Sequence, residues 1–131
     1  MNATDACPCG LDAAYTQCCG RWHAGPLRLQ APDAECLMRS RYSAYVLGDL
    51  EYLRDTWHPA TRPPRLDQQP PDLRWLGLDV RRHLRQDESH ATVEFVARSK
   101  QHGRAMRLHE LSRFERVDGR WLYVDGVDGK A

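Results

Sequence analysis

The sequence predicts an α+β domain in which helices pack on one face of an antiparallel sheet. Residues 31–58 repeat apolar side chains at three- and four-residue steps, the spacing of a helix with one buried face. From Leu73 onward apolar and polar residues alternate, as they do in half-buried strands. Turn signals, of which Asp118-Gly119 is the strongest, divide this second region into about four strands.

The helical region divides into one long and one short helix. Its apolar stripe consists of Ala34, Leu37, Met38, Tyr42, Tyr45 and Val46. Pro32 suits the first helical position, because a proline there loses no helical hydrogen bond. Gly48 is expected to end the long helix, and Asp49 to cap a second helix that runs through Trp57.

Residues 59–72 contain five prolines and are expected to form a long extended loop. The strands that follow are predicted from four segments: Leu76, Leu78 and Val80; Val93, Phe95 and Ala97; Leu108, Glu110, Ser112 and Phe114; and residues 120–125. The turns between them are expected at residues 86–89, 101–104 and 118–119.

Size and charge describe one ordinary domain. The chain has 131 residues and a net charge of +1, which requires no polyanionic partner. It contains no apolar run of about 18 residues, and residues 1–5 lack an apolar core, so we expect neither a membrane span nor a secretory signal. We therefore expect a cytoplasmic protein, and in the cytoplasm clustered cysteines more often bind metal than form disulfides.

Four cysteines lie within fourteen residues, as Cys7 and Cys9 followed by the adjacent Cys18 and Cys19. A proline between the first two and a glycine after them favour a tight reversal of the chain. The eight residues that follow Cys9 can bring the second pair back to the first. Four thiolates suit a tetrahedral Zn²⁺ ion and leave no position for water or substrate. We therefore predict a structural zinc site.

Three alternatives stay open from the residues alone. His23 lies four residues after Cys19 and can replace one cysteine if a helix runs there. Disulfides would require an oxidising compartment. Free thiols of low pKa would indicate redox chemistry.

The run Cys-Pro-Cys-Gly, with eight residues before Cys-Cys-Gly, resembles the SEC-C motif, the zinc knuckle at the C-terminus of the SecA translocation ATPase. The resemblance implies that the adjacent residues Cys18 and Cys19 both bind zinc, which favours Cys19 over His23. The motif usually carries several lysines between its ligand pairs, whereas residues 1–30 here contain two Arg, two Asp and no Lys. Nucleic acid is therefore not an expected partner of this knuckle.

Segments behind the knuckle resemble the YchJ-like family of bacterial proteins. They are MRSRYSAY (38–45), WHP (57–59), VEFVAR (93–98), HELSRF (109–114) and RWLYVDG (120–126). The resemblance implies a cystatin-like cone, similar to nuclear transport factor two, in which a curved antiparallel sheet wraps a long helix. It divides the chain into a SEC-C-type zinc knuckle at 1–28 and a cone-like α+β domain at 29–131.

Cones of this kind often enclose a pocket between helix and sheet. Its candidate lining residues are Arg39, Arg41, Tyr42, Tyr45, Trp57, His58, His109 and Glu110. Glu110 alternates in step with Leu108 and Phe114 and should face inward, so its neighbour His109 should face outward. A buried Glu or His can serve as a general base, and either arginine can hold an anion. We favour a structural role instead, in which Glu110 forms an ion pair with one of the two arginines.

These features favour a small cytoplasmic adaptor that docks a protein partner through the zinc knuckle, where Leu11 and Tyr15 are expected to be exposed. The alternative is a small-molecule binder or an enzyme that uses the cone pocket. Nucleic-acid binding is the weakest hypothesis, since residues 74–120 carry only eleven basic against seven acidic residues, which we interpret as a solvated face. We expect a binding protein rather than an enzyme.

Overall fold

The computed structural model describes residues 5–129, and its elements confirm the α+β class. A 3-10 turn at Tyr15–Gln17 precedes the helices α1 (Gly20–His23), α2 (Ala34–Leu47) and α3 (Leu50–Asp55). The strands are β1 (Arg74–Arg85), β2 (His90–Gln101), β3 (Arg104–Val117) and β4 (Arg120–Asp128). They pair antiparallel in the order β1-β2-β3-β4. Residues 1–4, on which the prediction about a secretory signal largely rests, lie outside the described residues.

Helix α2 begins after a side-chain cap. The Asp33 carboxylate accepts a hydrogen bond from the Cys36 amide at 2.7 Å, so Asp33 is the N-cap. Pro32 therefore lies before the cap, and its predicted place at the first helical position is wrong. Gly48 ends the helix as predicted, in the left-handed conformation with a φ of 74°.

Helix α3 is shorter than predicted. Asp49 caps it, accepting from the Tyr52 amide at 3.1 Å, but the helix ends at Asp55. Trp57 instead forms a bridge with Tyr123 of β4, and the adjacent His58 amide donates to the Tyr123 carbonyl at 2.8 Å. Pairing with the sheet thus replaces the last predicted turn of helix.

The core lies between the helices and one face of the sheet. Its large buried side chains include Leu37, Tyr52, Leu53, Val93, Phe114 and Trp121. Five of the six stripe residues of α2 face this core: Ala34, Leu37, Met38 and Tyr42 are buried in it, and Tyr45 packs against it. Val46 is 37% exposed, so its predicted place on the buried stripe is wrong. Below, the sheet face turned toward α2 is called the inner face and the opposite one the outer face.

Strand β1 departs from the predicted alternation. Its register shifts between Trp75 and Gly77, where a bulge adds one residue. Trp75 therefore packs against the core, its ring centroid 5.6 Å from that of Tyr42, whereas Leu76 is 58% exposed. The prediction that Leu76 shares the buried face of Leu78 is wrong, because alternation assumes an unbroken pleat.

Two of the hairpin turns consist of two residues each. His102 and Gly103 join β2 to β3, and Asp118 and Gly119 join β3 to β4, all with positive φ. This is the geometry expected of two-residue turns between antiparallel strands.

In residues 5–129 no helix has the length and apolar character needed to cross a membrane.

The left-handed cap of α2 gives a testable stability difference. Gly48→Ala is expected to lower the free energy of unfolding by about 1 kcal/mol, because a Cβ disfavours positive φ. Gly77→Ala is the matched control: Gly77 lies outside the left-handed region, and a Cβ there would meet no atom within 4 Å. Urea denaturation measures both variants. Equal losses would contradict the cap assignment.

Candidate metal centre and cone cavity

The first two cysteines are presented by a short reversal. Ala6 forms an antiparallel bridge with Ala14, and the Cys7 amide donates to the Ala13 carbonyl at 2.9 Å. Gly10 turns the chain with a φ of 91°, and its amide donates to the Cys7 carbonyl at 3.3 Å. Only glycine adopts that φ without strain. The glycine after the Cys-x-Cys pair thus sets the turn that holds Cys7 and Cys9.

Cys18 and Cys19 lie at the junction of two short helical segments. Cys18 ends the 3-10 turn, and Cys19 is the N-cap residue of α1. Two successive residues on a regular helix would point about 100° apart, and the junction removes that restriction. Gly20 is the first residue of α1. A Cβ on Gly20 would lie 2.7 Å from the Tyr15 carbonyl, so the close approach requires glycine.

The four thiols form a compact buried group. Their Sγ atoms all lie within 4.8 Å of one another, and each residue is at most 5% exposed. The Cys9 and Cys18 sulfurs are 3.6 Å apart. Zn–S bonds of roughly 2.3 Å at tetrahedral angles place sulfurs about 3.8 Å apart. All five cysteines are free thiols, so none is joined to another. The four cysteines of this group can therefore hold a metal ion.

The pKa values of these thiols indicate how a bound cation would change their protonation. Hydrogen bonds from Cys19 and Cys9 lower the pKa of Cys7, whereas burial raises the pKa of Cys18 to about 12. The hydrogen bond to Cys7 also raises the pKa of Cys19. One thiolate is thus stabilised at the expense of its neighbours. A bound cation removes this competition because it favours every thiolate at once.

His23 lies outside the group of thiols. Its Nδ1 is 2.6 Å from the Tyr15 hydroxyl, and its Nε2 is 2.8 Å from the Ser40 carbonyl. The carbonyl requires Nε2 to donate, so Nδ1 accepts from the tyrosine. Burial lowers the pKa of His23, which favours this neutral form. With both ring nitrogens engaged, the histidine braces α1 against α2 and is not available as a ligand.

The cysteine group is attached directly to α2. Ser43 Oγ lies 3.6 Å from Cys7 Sγ, and the Arg39 guanidinium donates to the Cys9 carbonyl at 3.0 Å. Leu78 of β1 packs against the cysteines from the sheet side. Ser43 was not identified from the sequence, although it directly follows Tyr42 of the apolar stripe.

A cavity of about 290 Å³ lies between α2 and the inner face of the sheet. Four of the eight predicted pocket residues line it, namely Arg41, Tyr42, Tyr45 and Glu110. The remaining wall is mainly apolar and aromatic, formed by Met38, Trp75, Phe95, Ala97, Leu108, Phe114 and Tyr123, with Gln69 and Ser112 as further polar members.

The other four predicted residues lie elsewhere. Arg39 pairs with Glu35 at 3.0 Å and reaches toward the knuckle. Trp57 packs edge-on against Tyr123, with ring centroids 5.1 Å apart. The two histidines face carboxylates outside the cavity: His58 Nε2 lies 3.6 Å from Glu115, and His109 Nε2 lies 2.7 Å from Glu94.

Glu110 faces inward as predicted, but it has no arginine partner within residues 5–129. Its carboxylate accepts a hydrogen bond from Ser112 at 2.5 Å. It lies over Gly126 of β4, where a Cβ would come within 2.3 Å of it. Neither the serine nor the glycine was identified from the sequence. The expected ion pair with Arg39 or Arg41 is therefore wrong.

Arg41 is held by neutral groups instead. One guanidinium nitrogen donates to the Leu53 carbonyl at 2.8 Å and to Thr56 Oγ1 at 2.7 Å. The guanidinium carbon lies 5.0 Å from the Trp57 ring centre and 4.6 Å from that of Tyr123. Burial lowers the pKa of Arg41, and the cation is stabilised by these hydrogen bonds and aromatic faces. These contacts hold Arg41 on the helix side of the cavity.

A domain-family model matches the chain over most of its length. Residues 33–126 match the family model described as "YchJ, middle NTF2-like domain". A UPF0225 protein of Bordetella parapertussis is 64% identical, over 92% of this chain and 91% of the relative. A UPF0225 protein of Ralstonia nicotianae is 60% identical, over 94% of this chain and 91% of the relative.

Two solved structures share the architecture. The solution structure of RPA3114, a SEC-C motif containing protein from Rhodopseudomonas palustris, aligns with a TM-score of 0.80 at 34% identity and covers 94% of this chain and 98% of that one. The crystal structure of a SEC-C motif containing protein from Psychrobacter arcticus aligns with a TM-score of 0.79 at 32% identity, covering 94% and 82%. Together with the family match, they confirm the predicted cone-like fold with a curved antiparallel sheet.

Proposed function

The chain belongs to the YchJ-like family, and we propose that it is a zinc-stabilised adaptor that binds a protein partner through its N-terminal knuckle. The observation that carries the metal assignment is the group of four buried cysteines whose sulfurs lie within 4.8 Å of one another. No other ligand type is needed to complete a tetrahedral site, because four thiolates satisfy Zn²⁺.

The donor set favours zinc in a structural role. Four thiolates occupy all four tetrahedral positions, so no water or substrate can bind the ion. Iron is the other metal that accepts four thiolates. The spacing of Cys9 and Cys18, at 3.6 Å, is close to the roughly 3.8 Å edge of one ZnS₄ tetrahedron. A single ion at the centre of the four sulfurs fits these contacts.

The metal would stabilise a segment that has little core of its own. Among residues 5–129, the apolar cluster of the knuckle contains, apart from the cysteines, only Ala13, Tyr15 and Leu78, and Leu78 belongs to β1. So small a cluster buries too little apolar area to order the segment without further bonds. Zinc–thiolate bonds supply that free energy, as they do in other small zinc modules.

The proposed docking surface is the outward side of the knuckle. Leu11 is 45% exposed and follows the turn at Gly10, and Asp12 beside it is also exposed. Tyr15, expected from the sequence to be exposed, is half-buried with its hydroxyl bonded to His23, so it supports the knuckle instead. A closed metal site fixes the position of Leu11 and so reduces the entropy lost when a partner binds.

A second function, small-molecule binding in the cone, is favoured by the state of Glu110. Its carboxylate faces a cavity of about 290 Å³ and has no cationic partner among residues 5–129. This volume is near the lower end of the range for ligand pockets, and the walls are largely aromatic. A small amine with an apolar or aromatic body would place its ammonium at Glu110 and its body between the rings.

Zinc content and stability test the metal centre. Inductively coupled plasma mass spectrometry of protein purified without chelator is expected to find one equivalent of zinc per chain. Cys9→Ser should lose most of it, and its Tm should fall by roughly 10 °C if about 3 kcal/mol of metal stabilisation is lost. Cys36→Ser is the matched control, because Cys36 lies on α2 outside the cysteine group. Full zinc content in Cys9→Ser, or iron in place of zinc, would overturn the assignment.

Partner capture tests the docking surface. Leu11→Asp is expected to lose proteins that the immobilised wild-type protein retains, with zinc content unchanged. Leu84→Asp is the matched control, since Leu84 is 44% exposed, close to the 45% of Leu11, and lies near the end of β1. Quantitative mass spectrometry compares the retained proteins. If Leu11→Asp and Leu84→Asp retain the same proteins as wild type, the proposed surface is wrong.

Thermal shift with small amines tests the cavity. Phenethylamine at millimolar concentration should raise the Tm of the wild-type protein by a few degrees, as expected for selective binding to the folded state. Glu110→Gln should abolish the shift, whereas Glu94→Gln, which removes a carboxylate on the outer face, should preserve it. Gly126→Ala should also abolish it, because the added Cβ displaces the Glu110 carboxylate. Equal shifts in Glu110→Gln and wild type would contradict this binding mode.

A further inference from the structure

The outer face of the sheet gathers four exposed cations at one end. They are Arg74, Arg98, Lys100 and Arg107, here called the basic array. Their neighbours along the strands point inward: Trp75 packs on Tyr42, Ala97 and Leu108 line the cavity, and Ser99 is buried. Since successive strand residues face opposite sides, all four cations lie on the outer face.

The strand register places these like charges directly opposite one another. Arg74 is the Cα partner of Lys100, and Arg98 is the Cα partner of Arg107. Like charges at opposed positions destabilise a sheet. The other opposed charged residues on this face have opposite signs: Arg113 is the Cα partner of Asp125 and binds it at 2.5 Å, and Arg82 is the Cα partner of Glu94. The two like-charge pairs of the basic array are therefore exceptions among the opposed charges of the outer face.

Nearby carboxylates do not neutralise the array. In residues 5–129 none of its four members forms an ion pair. Asp79, farther along β1, binds Arg81 at 2.6 Å. Asp72, just before β1, binds His102 at 2.9 Å. The positive charge of the array is left available to a partner in solution.

The dimensions of the array fit a polyanion rather than one small anion. Residues two apart on a strand are about 7 Å apart, and opposed residues on paired strands about 5 Å. Three of the four members are arginines, whose guanidinium groups bind phosphate through two parallel hydrogen bonds. Gly77 lies opposite Arg98 and Ala105 opposite Lys100, and the exposed Leu76 at the β1 bulge is a single apolar side chain, which buries too little area to anchor the array in lipid.

We propose that the basic array binds the phosphate backbone of single-stranded nucleic acid without reading its bases. A flexible single strand follows the outside of a curved sheet, whereas a duplex resists bending over so short a distance. No aromatic residue belongs to the array, so bases have no stacking platform there and binding is electrostatic. Whole-chain charge and the absence of lysine in the knuckle argued against nucleic acid. The fold, however, concentrates cations that are scattered in the sequence from Arg74 to Arg107.

Fluorescence anisotropy with a labelled twenty-nucleotide oligo-U RNA, titrated with the full metal-loaded protein, tests the proposal. Binding should weaken with salt between about 50 and 200 mM, with a slope of log K against log salt of about −2 to −3, as expected for three or four phosphate contacts. Arg107→Glu should reduce affinity at least about tenfold and flatten the slope. It should also keep or raise Tm, because an opposed like-charge pair becomes an attractive one.

Arg116→Glu is the matched control. Arg116 is an exposed arginine of the same strand near the β3–β4 turn, at the other end of the sheet, and the substitution changes the net charge equally. Its affinity should stay within about twofold of wild type. The proposal is overturned if both variants weaken binding equally, if no salt-dependent binding occurs, or if the protein binds vesicles of phosphatidylserine and phosphatidylcholine more tightly than the RNA.

Discussion

The packing of the four-cysteine group against helix α2 is the constraint on which the arrangement of the molecule depends. Ser43 touches Cys7, Arg39 holds the Cys9 carbonyl, and the Ser40 carbonyl receives His23. The knuckle is thus contacted by Arg39, Ser40 and Ser43, which lie within one and a half turns of α2. The same stretch of helix carries Arg41 and Tyr42 toward the cavity. The knuckle and the cavity wall are therefore opposite sides of one rigid element.

Much of this arrangement could be predicted from local patterns in the sequence. The Cys-x-Cys and Cys-Cys pairs, the apolar stripe of α2 and the turn at Asp118-Gly119 each depend on residues close in sequence, and each was found. The failures have a common physical origin. The bulge that exposes Leu76 and the bridge that takes Trp57 out of α3 are set by pairing between distant strands and helices. A local pattern carries no information about such partners.

The same reasoning explains why the roles of the two arginines could not be assigned from the sequence. Arg39 and Arg41 are two residues apart on a helix, so their side chains point about 160° apart around its axis. Arg39 meets the knuckle, and Arg41 meets the Leu53 carbonyl and the rings of Trp57 and Tyr123. Within residues 5–129 Glu110 therefore has no arginine partner, and Ser112 and Gly126 accommodate its carboxylate instead. Whether a charged residue forms a structural ion pair or leaves an open site depends on where its side chain points. Knowing that the residue lies in a helix or a strand does not determine this.

Some charged groups lack a partner of opposite sign within residues 5–129. At these positions the fold is less stable than it would be with neutral side chains. A carboxylate facing an aromatic cavity and two opposed cation pairs on a sheet each raise the free energy of the folded state. Neutral side chains at those positions would be accepted by the surrounding packing, since Gly77 and Ala105 already occupy neighbouring sites on the outer face. Violations of local preference with no compensating contact tend to mark binding sites. The inner and outer faces of the sheet therefore offer two independent surfaces, while the cysteine group packs against the helix that lines the inner face.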